Sequence, residues 1–173
     1  MLRRSILQMS VIAFAPSAWA ADPSSAALRP MPAPGTDVFL AKTVAANTFE
    51  IESSRLAATK TQSDTVRSFA STMIKDHVRS SAALEQAVAD AGLKLPPAQL
   101  DSPHRFIVED LRGKAAADFD KEFVQAQYNG HVETVEMFRA YANSGEDARL
   151  KRFAAAALPT LEAHLAEVKK LRK

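Results

Sequence analysis

The 173-residue chain contains no cysteine. That excludes disulfide staples and a lipid-anchored cysteine, and it removes the thiol from any list of candidate nucleophiles. No serine stands in an elbow-type motif either, so no hydrolytic triad can be assembled. No stretch alternates apolar and polar residues long enough to make a strand. No apolar run reaches the roughly 20 residues a membrane-spanning helix needs. Charge of one sign is missing as well: 22 Lys+Arg face 20 Asp+Glu. Two of the basic residues, Arg3 and Arg4, lie in the first 20 residues, which hold no acidic residue, so the remainder balances at 20 against 20. A chain without a global basic field is not expected to bind nucleic acid.

What is present begins with an address. MLRR is a short basic start, SILQMSVIAFA an apolar stretch, and Ala18-Trp19-Ala20 a small-x-small cleavage site. Residues 1–20 read as a signal peptide cut between Ala20 and Ala21, which places the mature protein in the periplasm or outside the cell. Arg3-Arg4-Ser5-Ile6-Leu7 fits the twin-arginine pattern loosely. It lacks the usual polar residue before the arginines, and the ordinary secretory route is preferred. Residues 21–35, ADPSSAALRPMPAPG, are rich in proline and have no apolar period. They read as a flexible tether.

From residue 36 onward the period is helical, and a single domain spans 36–173. A first helix is expected over 36–60, with Phe39, Thr43, Ala46, Glu50, Ser53 and Ala57 on one seam. A second starts after the cap Ser63 and ends at Gly92. Ser102 and Pro103 open a short third helix that Gly113 closes, with Phe106, Ile107 and Leu111 as its buried side. A fourth runs from about 117 to 143. Ser144-Gly145-Glu146-Asp147 caps a fifth, in which Pro159 is expected to bend the axis. The run Phe153 to Leu158 reads as close-packing surface, and the lysine-rich end as a solvated helix terminus. The architecture expected is all-α, a ferritin-like up-and-down four-helix bundle with one short extra helix between the second and third long ones.

Each long helix then places polar residues where a core stripe should be apolar. Glu50 is on the first, His77 with Asp76 beside it on the second, and Asp120, Gln127 and His131 on the third long helix. His164 is on the last. Glu and His from facing helices are how metal sites are built in bundle cores, and imidazole with carboxylate suits Zn, Cu or Fe. Glu50, His77, His131 and His164 are therefore candidate metal ligands, with Asp76, Asp120 and Gln127 as groups that would orient them. The other reading is a polar network that fixes helix register, with Glu50–His77 and Asp120–His164 as its pairs. Counting heights from the turns sets His164 nearer the level of Val124 and Gln127 than of His131, so a site using all four is not required. His104, at the start of the short helix, reads as a surface residue.

Phe39, Glu50-Ile51, Phe69-Ala70, Met73-Ile74-x-Asp76-His77, Phe119-Asp120, Gln127-x-x-x-His131 and Leu158-Pro159-x-x-x-x-His164 together resemble the bacterial exported family known as domain of unknown function 4142. The resemblance covers about 36–170 and implies a ferritin-like bundle, in proteins often described as outer-membrane or exported. It implies no activity. The Glu-x-x-His pairs of di-iron bundles are absent, since Ile74, Tyr128 and Leu161 stand three before the histidines, so oxidase or iron-storage chemistry is not read here. The first reading is a non-enzymatic exported bundle concerned with envelope stress or metal handling. The alternatives are a metal-binding bundle using the core Glu and His residues, and a tethered protein-interaction module.

Overall fold

The computed structural model describes residues 32–172. The signal segment and residues 21–31 of the tether lie outside them. Among the described residues there are five helices and no strand: α1 Thr36–Lys60, α2 Asp64–Ala91, α3 Ser102–Gly113, α4 Ala116–Ser144 and α5 Ala148–Leu171. None of them is long and apolar enough to cross a membrane.

The helix ends follow local chemistry. The Ser63 hydroxyl accepts from the Val66 N–H at 3.3 Å and starts α2. Gly92, at φ 68°, ends it in the left-handed conformation, and the Leu93 N–H returns to the Val88 carbonyl at 3.0 Å. Asp147 opens α5 by accepting from the N–H groups of Arg149 and Leu150. The α3 cap is one residue earlier than expected: Asp101, not Ser102, accepts from the His104 N–H at 3.0 Å. α5 runs unbroken through Pro159, which lies on its exposed side.

The long helices form a four-helix bundle in which α1 neighbours α2 and α4, and α5 neighbours the same two. Both hairpins, α1–α2 and α4–α5, are up-and-down. Residues 92–115, with α3 against α1 and α4, carry the chain back along the bundle. As a result α2 and α4 point the same way, the arrangement of bundles with one long crossover.

Two apolar half-cores follow from these directions. In one, Phe39 and Leu40 of α1 meet Leu84 and Val88 of α2, Phe138 and Tyr141 of α4, and Leu150 and Phe153 of α5. In the other, Ala57, Phe69, Met73, Leu111, Phe119, Phe123 and Val168 close the opposite end. Between them, at mid-height, lies a buried polar layer: Asn47, Glu50, Ser53, His77, Gln127, His131 and His164.

Some faces differ from expectation. Leu111 is buried as expected, but Phe106 is 75 % exposed and Val108 is buried in its place. His104, Ile107, Val108 and Leu111 share one side of α3 by i, i+3, i+4, i+7 spacing, and Phe106 falls outside that set. His104 is consequently not a plain surface residue. Its ring packs on Phe49 at 4.7 Å and its Nδ1 lies 2.7 Å from Asp101 Oδ1. On α4 the buried face includes Val124, Gln127, His131 and Val135, while Ala126, Gly130 and Thr134 are half-buried.

Candidate metal centre

His77, His131 and His164 come from α2, α4 and α5 and are 3 %, 1 % and 6 % exposed. Their ring centroids are 5.4–5.8 Å apart. One potential ligand nitrogen from each lies within 4.8 Å of the other two. The expected height mismatch between His131 and His164 does not arise. His131 stands thirteen residues before the end of α4 and His164 sixteen after the start of α5. The difference is about 4.5 Å of rise, under one turn. Counting both from a common point in the turn had ignored the residues spent between the helices.

Each ring is held from behind by an oxygen. His77 Nδ1 donates to Asn47 Oδ1 at 2.9 Å, and the same amide donates to Ser80 Oγ at 3.3 Å, which orients it. His131 Nδ1 donates to the Gln127 carbonyl, one turn back, at 2.8 Å. His164 Nε2 donates to Asp76 Oδ2 at 3.1 Å. A ring nitrogen that donates to a carbonyl or carboxylate carries the proton, so its partner nitrogen carries the lone pair. Those partners are His77 Nε2, His131 Nε2 and His164 Nδ1, and all three are buried with no hydrogen-bond partner among the described residues.

For His77 and His164 the electrostatics favour the neutral ring. Burial holds the His77 imidazole well below its ordinary pKa, and the neighbouring His131 and His164 push it the same way. Burial also lowers His164, although its hydrogen bond to Asp76 opposes this. Neutral imidazoles are what a metal ion needs, because every ligand must offer a lone pair. Three nitrogens at about 2.0–2.1 Å from a tetrahedral ion would be roughly 3.3 Å apart. The observed spread therefore requires the rings to draw together by up to about 1.5 Å.

Glu50 is next to this centre but outside the triad. Its Oε1 is 3.6 Å from His131 Nδ1, the nitrogen already committed to Gln127, and its Oε2 has no partner. Burial raises its pKa, against the opposing influence of His131, the Gln127 amide and His104. Gly130 makes room for it: a Cβ there would sit 3.3 Å from Oε1. The expected Glu50–His77 pair is thus replaced by Asn47–His77. The expected Asp120–His164 pair is replaced by Asp76–His164. Asp120 lies eleven residues before His131 on α4, about 16 Å along the axis, and takes no part. Gln127 contributes its backbone carbonyl, while its side chain donates to Ser53 Oγ at 3.1 Å.

Asn47 was missed as a site residue. Its spacing, four after Thr43 and three before Glu50, sets it beside the seam already recognised, but does not choose between it and Glu50 as the partner of His77.

Two spaces adjoin the centre. A void of about 10 Å³ lies on the α1 side, lined by Asn47, Glu50, His77 and His131 among others. A cleft of about 180 Å³ between α2 and α5 reaches His77 and His164 from outside. Phe153, Ala156 and Ala157 line it, so the alanine run only partly close-packs: Ala154 is buried, while Ala155 and Ala156 are exposed.

Residues 21–171 match the family described as domain of unknown function (DUF4142). The chain belongs to this family. The match spans the whole DUF4142 bundle seen here, including every residue of the polar layer. No curated protein and no solved structure matches the chain.

Proposed function

We propose that this DUF4142 protein is an exported metal-binding bundle that holds one divalent transition-metal ion, zinc or copper, on His77, His131 and His164. The observation that carries the reading is the convergence of three buried imidazoles, one nitrogen of each within 4.8 Å of the others, on rings that each keep one nitrogen without a partner among the described residues while the other is tied to an oxygen. That is the arrangement by which proteins orient histidine ligands and raise their basicity. Three imidazoles with no carboxylate or thiolate among the donors favour zinc or copper over magnesium or manganese.

A register-fixing polar layer alone accounts for this less well. Such a layer would be expected to satisfy its own members. Here the three lone pairs, Glu50 Oε2 and Gln127 Oε1 remain without hydrogen-bond partners. Export is part of the proposal and rests on the sequence signal at 1–20. The role is one of binding, in which a buried site retains or delivers a metal ion in the cell envelope.

Elemental analysis of the protein purified from the periplasm tests the reading. One zinc or copper per chain is expected, and none in the triple variant His77→Leu, His131→Leu, His164→Leu. Folded wild-type protein that takes up no zinc or copper, even when either is supplied, would refute it. Export has its own readout. Trp19 is the single tryptophan, so the mature protein should emit tyrosine fluorescence only.

A further inference from the structure

Three histidines leave a tetrahedral ion one position short, and such a position is where zinc sites accept an exogenous group. The packing around the triad leaves far more room on one side than on the other. Toward α1 the centre is closed by Asn47 and Glu50, with only about 10 Å³ of free space, room for a single water. Toward the α2–α5 seam it meets the cleft of about 180 Å³, with His77 and His164 among its lining residues. Both histidines are more than nine-tenths buried, and each has a ring nitrogen without a partner.

The cleft exists because facing positions on the two helices are small. Ala83 on α2 stands opposite Ala156 and Ala157 on α5, with Phe153 and Leu161 as larger apolar walls. Leucines in place of those alanines would fill the seam. The volume is ring-sized: an engineered apolar cavity of about 150 Å³ takes up benzene. Polar groups lie among the lining too. Arg79 reaches the cleft while only loosely held by Asp76 at 3.7 Å, and Ser80 and Thr160 add hydroxyls. Asp76 is already committed to His164 and Arg79. A divalent ion on three neutral imidazoles keeps its full charge, and the Asp76 and Arg79 charges in the same lining offset each other, so the site stays cationic and the complementary head is an anion. A planar carboxylate suits both the ion and Arg79, since it can ligate a cation through one oxygen and face a guanidinium with the other.

We propose that the α2–α5 cleft binds a small monocarboxylate with an apolar body, whose carboxylate completes the coordination of the ion beside Arg79. This rests on the metal reading above, and it adds a ligand class and an entry route to that site.

Cobalt(II) serves as the probe ion, because its visible bands report coordination directly. The full chain is loaded with cobalt and titrated with benzoate, with benzamide as the neutral isostere and acetate as the carboxylate without a body. Benzoate should shift the bands saturably, acetate more weakly, and benzamide not at all. Ala83→Phe should weaken benzoate at least tenfold with cobalt stoichiometry unchanged, and Ala156→Leu on the opposite wall should act in the same direction. Arg79→Gln should weaken it three- to tenfold. Cobalt-loaded protein whose bands ignore benzoate, or respond equally in all three variants, overturns the cleft proposal and leaves the metal reading standing. Protein that takes no cobalt, zinc or copper fails at the earlier step and removes both.

Discussion

At the scale of the residue, the question is how three clustered histidines each come to keep one buried lone pair free. The answer lies in Asn47, the Gln127 carbonyl and Asp76, which fix which nitrogen of each ring is protonated. Asn47→Ala removes one such partner and leaves all three ligands in place. It should lower zinc affinity about 10- to 100-fold, as read by competition with a chelator of known affinity, whereas Asp120→Ala should change it little. A pH response follows for the metal-free protein. His77 and His164 are held below their ordinary pKa by burial, so near pH 6.5 the unfolded chain takes up protons that the folded one resists. Stability contributed by these two is present above that pH and falls as pH drops through it. Glu50 acts in the opposite sense. Its raised pKa means the folded state takes a proton first, relieving the cost of a buried carboxylate as pH falls toward the ordinary carboxylate range. The melting temperature of chelated protein should therefore decline between about pH 7 and 5, and more steeply in Glu50→Gln, by calorimetry across that range. An equal slope in the two proteins would mean Glu50 does not titrate as its burial implies. The histidines themselves were legible in the sequence, as polar intrusions in apolar stripes. Their partners across the bundle were not, because Glu50 and Asn47 are less than one turn apart on the same seam, and only helix rotation decides which of them meets His77.

At the scale of the element, helix ends were far more legible than helix faces. Ser63, Gly92 and Asp147 act through backbone groups within four residues of themselves, so their chemistry is local. The face of a twelve-residue helix is a different matter. α3 offers Phe106, Ile107, Val108 and Leu111 to the core, and three turns of period leave room for two registers. Burial of Val108 rather than Phe106 is set by α1 and α4 beneath it. Phe106→Ala should accordingly change stability by no more than about 0.5 kcal/mol, while Leu111→Ala should cost about 2–5 kcal/mol. Urea melts of the two variants side by side would show it; a costly Phe106→Ala would put α3 in the other register. The α4–α5 turn supplies a second case. A Cβ on Gly145 would lie 2.5 Å from the Tyr141 ring and 2.6 Å from its carbonyl oxygen. Backbone must shift to accept it, and Tyr141 is fully buried, stacked on Phe39 at 3.8 Å. Gly145→Ala should destabilise by roughly 1–3 kcal/mol through overpacking, although φ there is an ordinary −60°. A melt unchanged by the substitution would show the turn to be more yielding than its packing suggests.

At the scale of the whole molecule, the polar layer divides the core into two apolar halves, and this sets up a competition between stability and binding. Metal-free, the layer buries lone pairs and a carboxylate oxygen that no group among the described residues satisfies. Each such group costs about 1–3 kcal/mol of desolvation. A bound ion reverses the balance, because a ligand that binds only the native state stabilises it by mass action. At a thousandfold excess over its dissociation constant the gain is about 4 kcal/mol. For a domain of this size that is a rise in melting temperature of roughly 10 °C. Wild-type protein should thus melt at roughly that much lower temperature after chelation, and recover when zinc returns. The triple variant His77→Leu, His131→Leu, His164→Leu separates this account from a purely structural one. It removes the unsatisfied nitrogens and joins the two half-cores with apolar volume. Against that stand the orphaned Asn47 amide and Asp76, the latter one-fifth exposed and able to turn to solvent. The net expectation is a variant that melts at or above metal-free wild type and shows no response to zinc or chelator. If the layer served only to hold helix register, the outcome would invert. Wild type would ignore the chelator, and the variant would lose cooperative unfolding, because nothing polar would then distinguish one alignment of the four helices from the next.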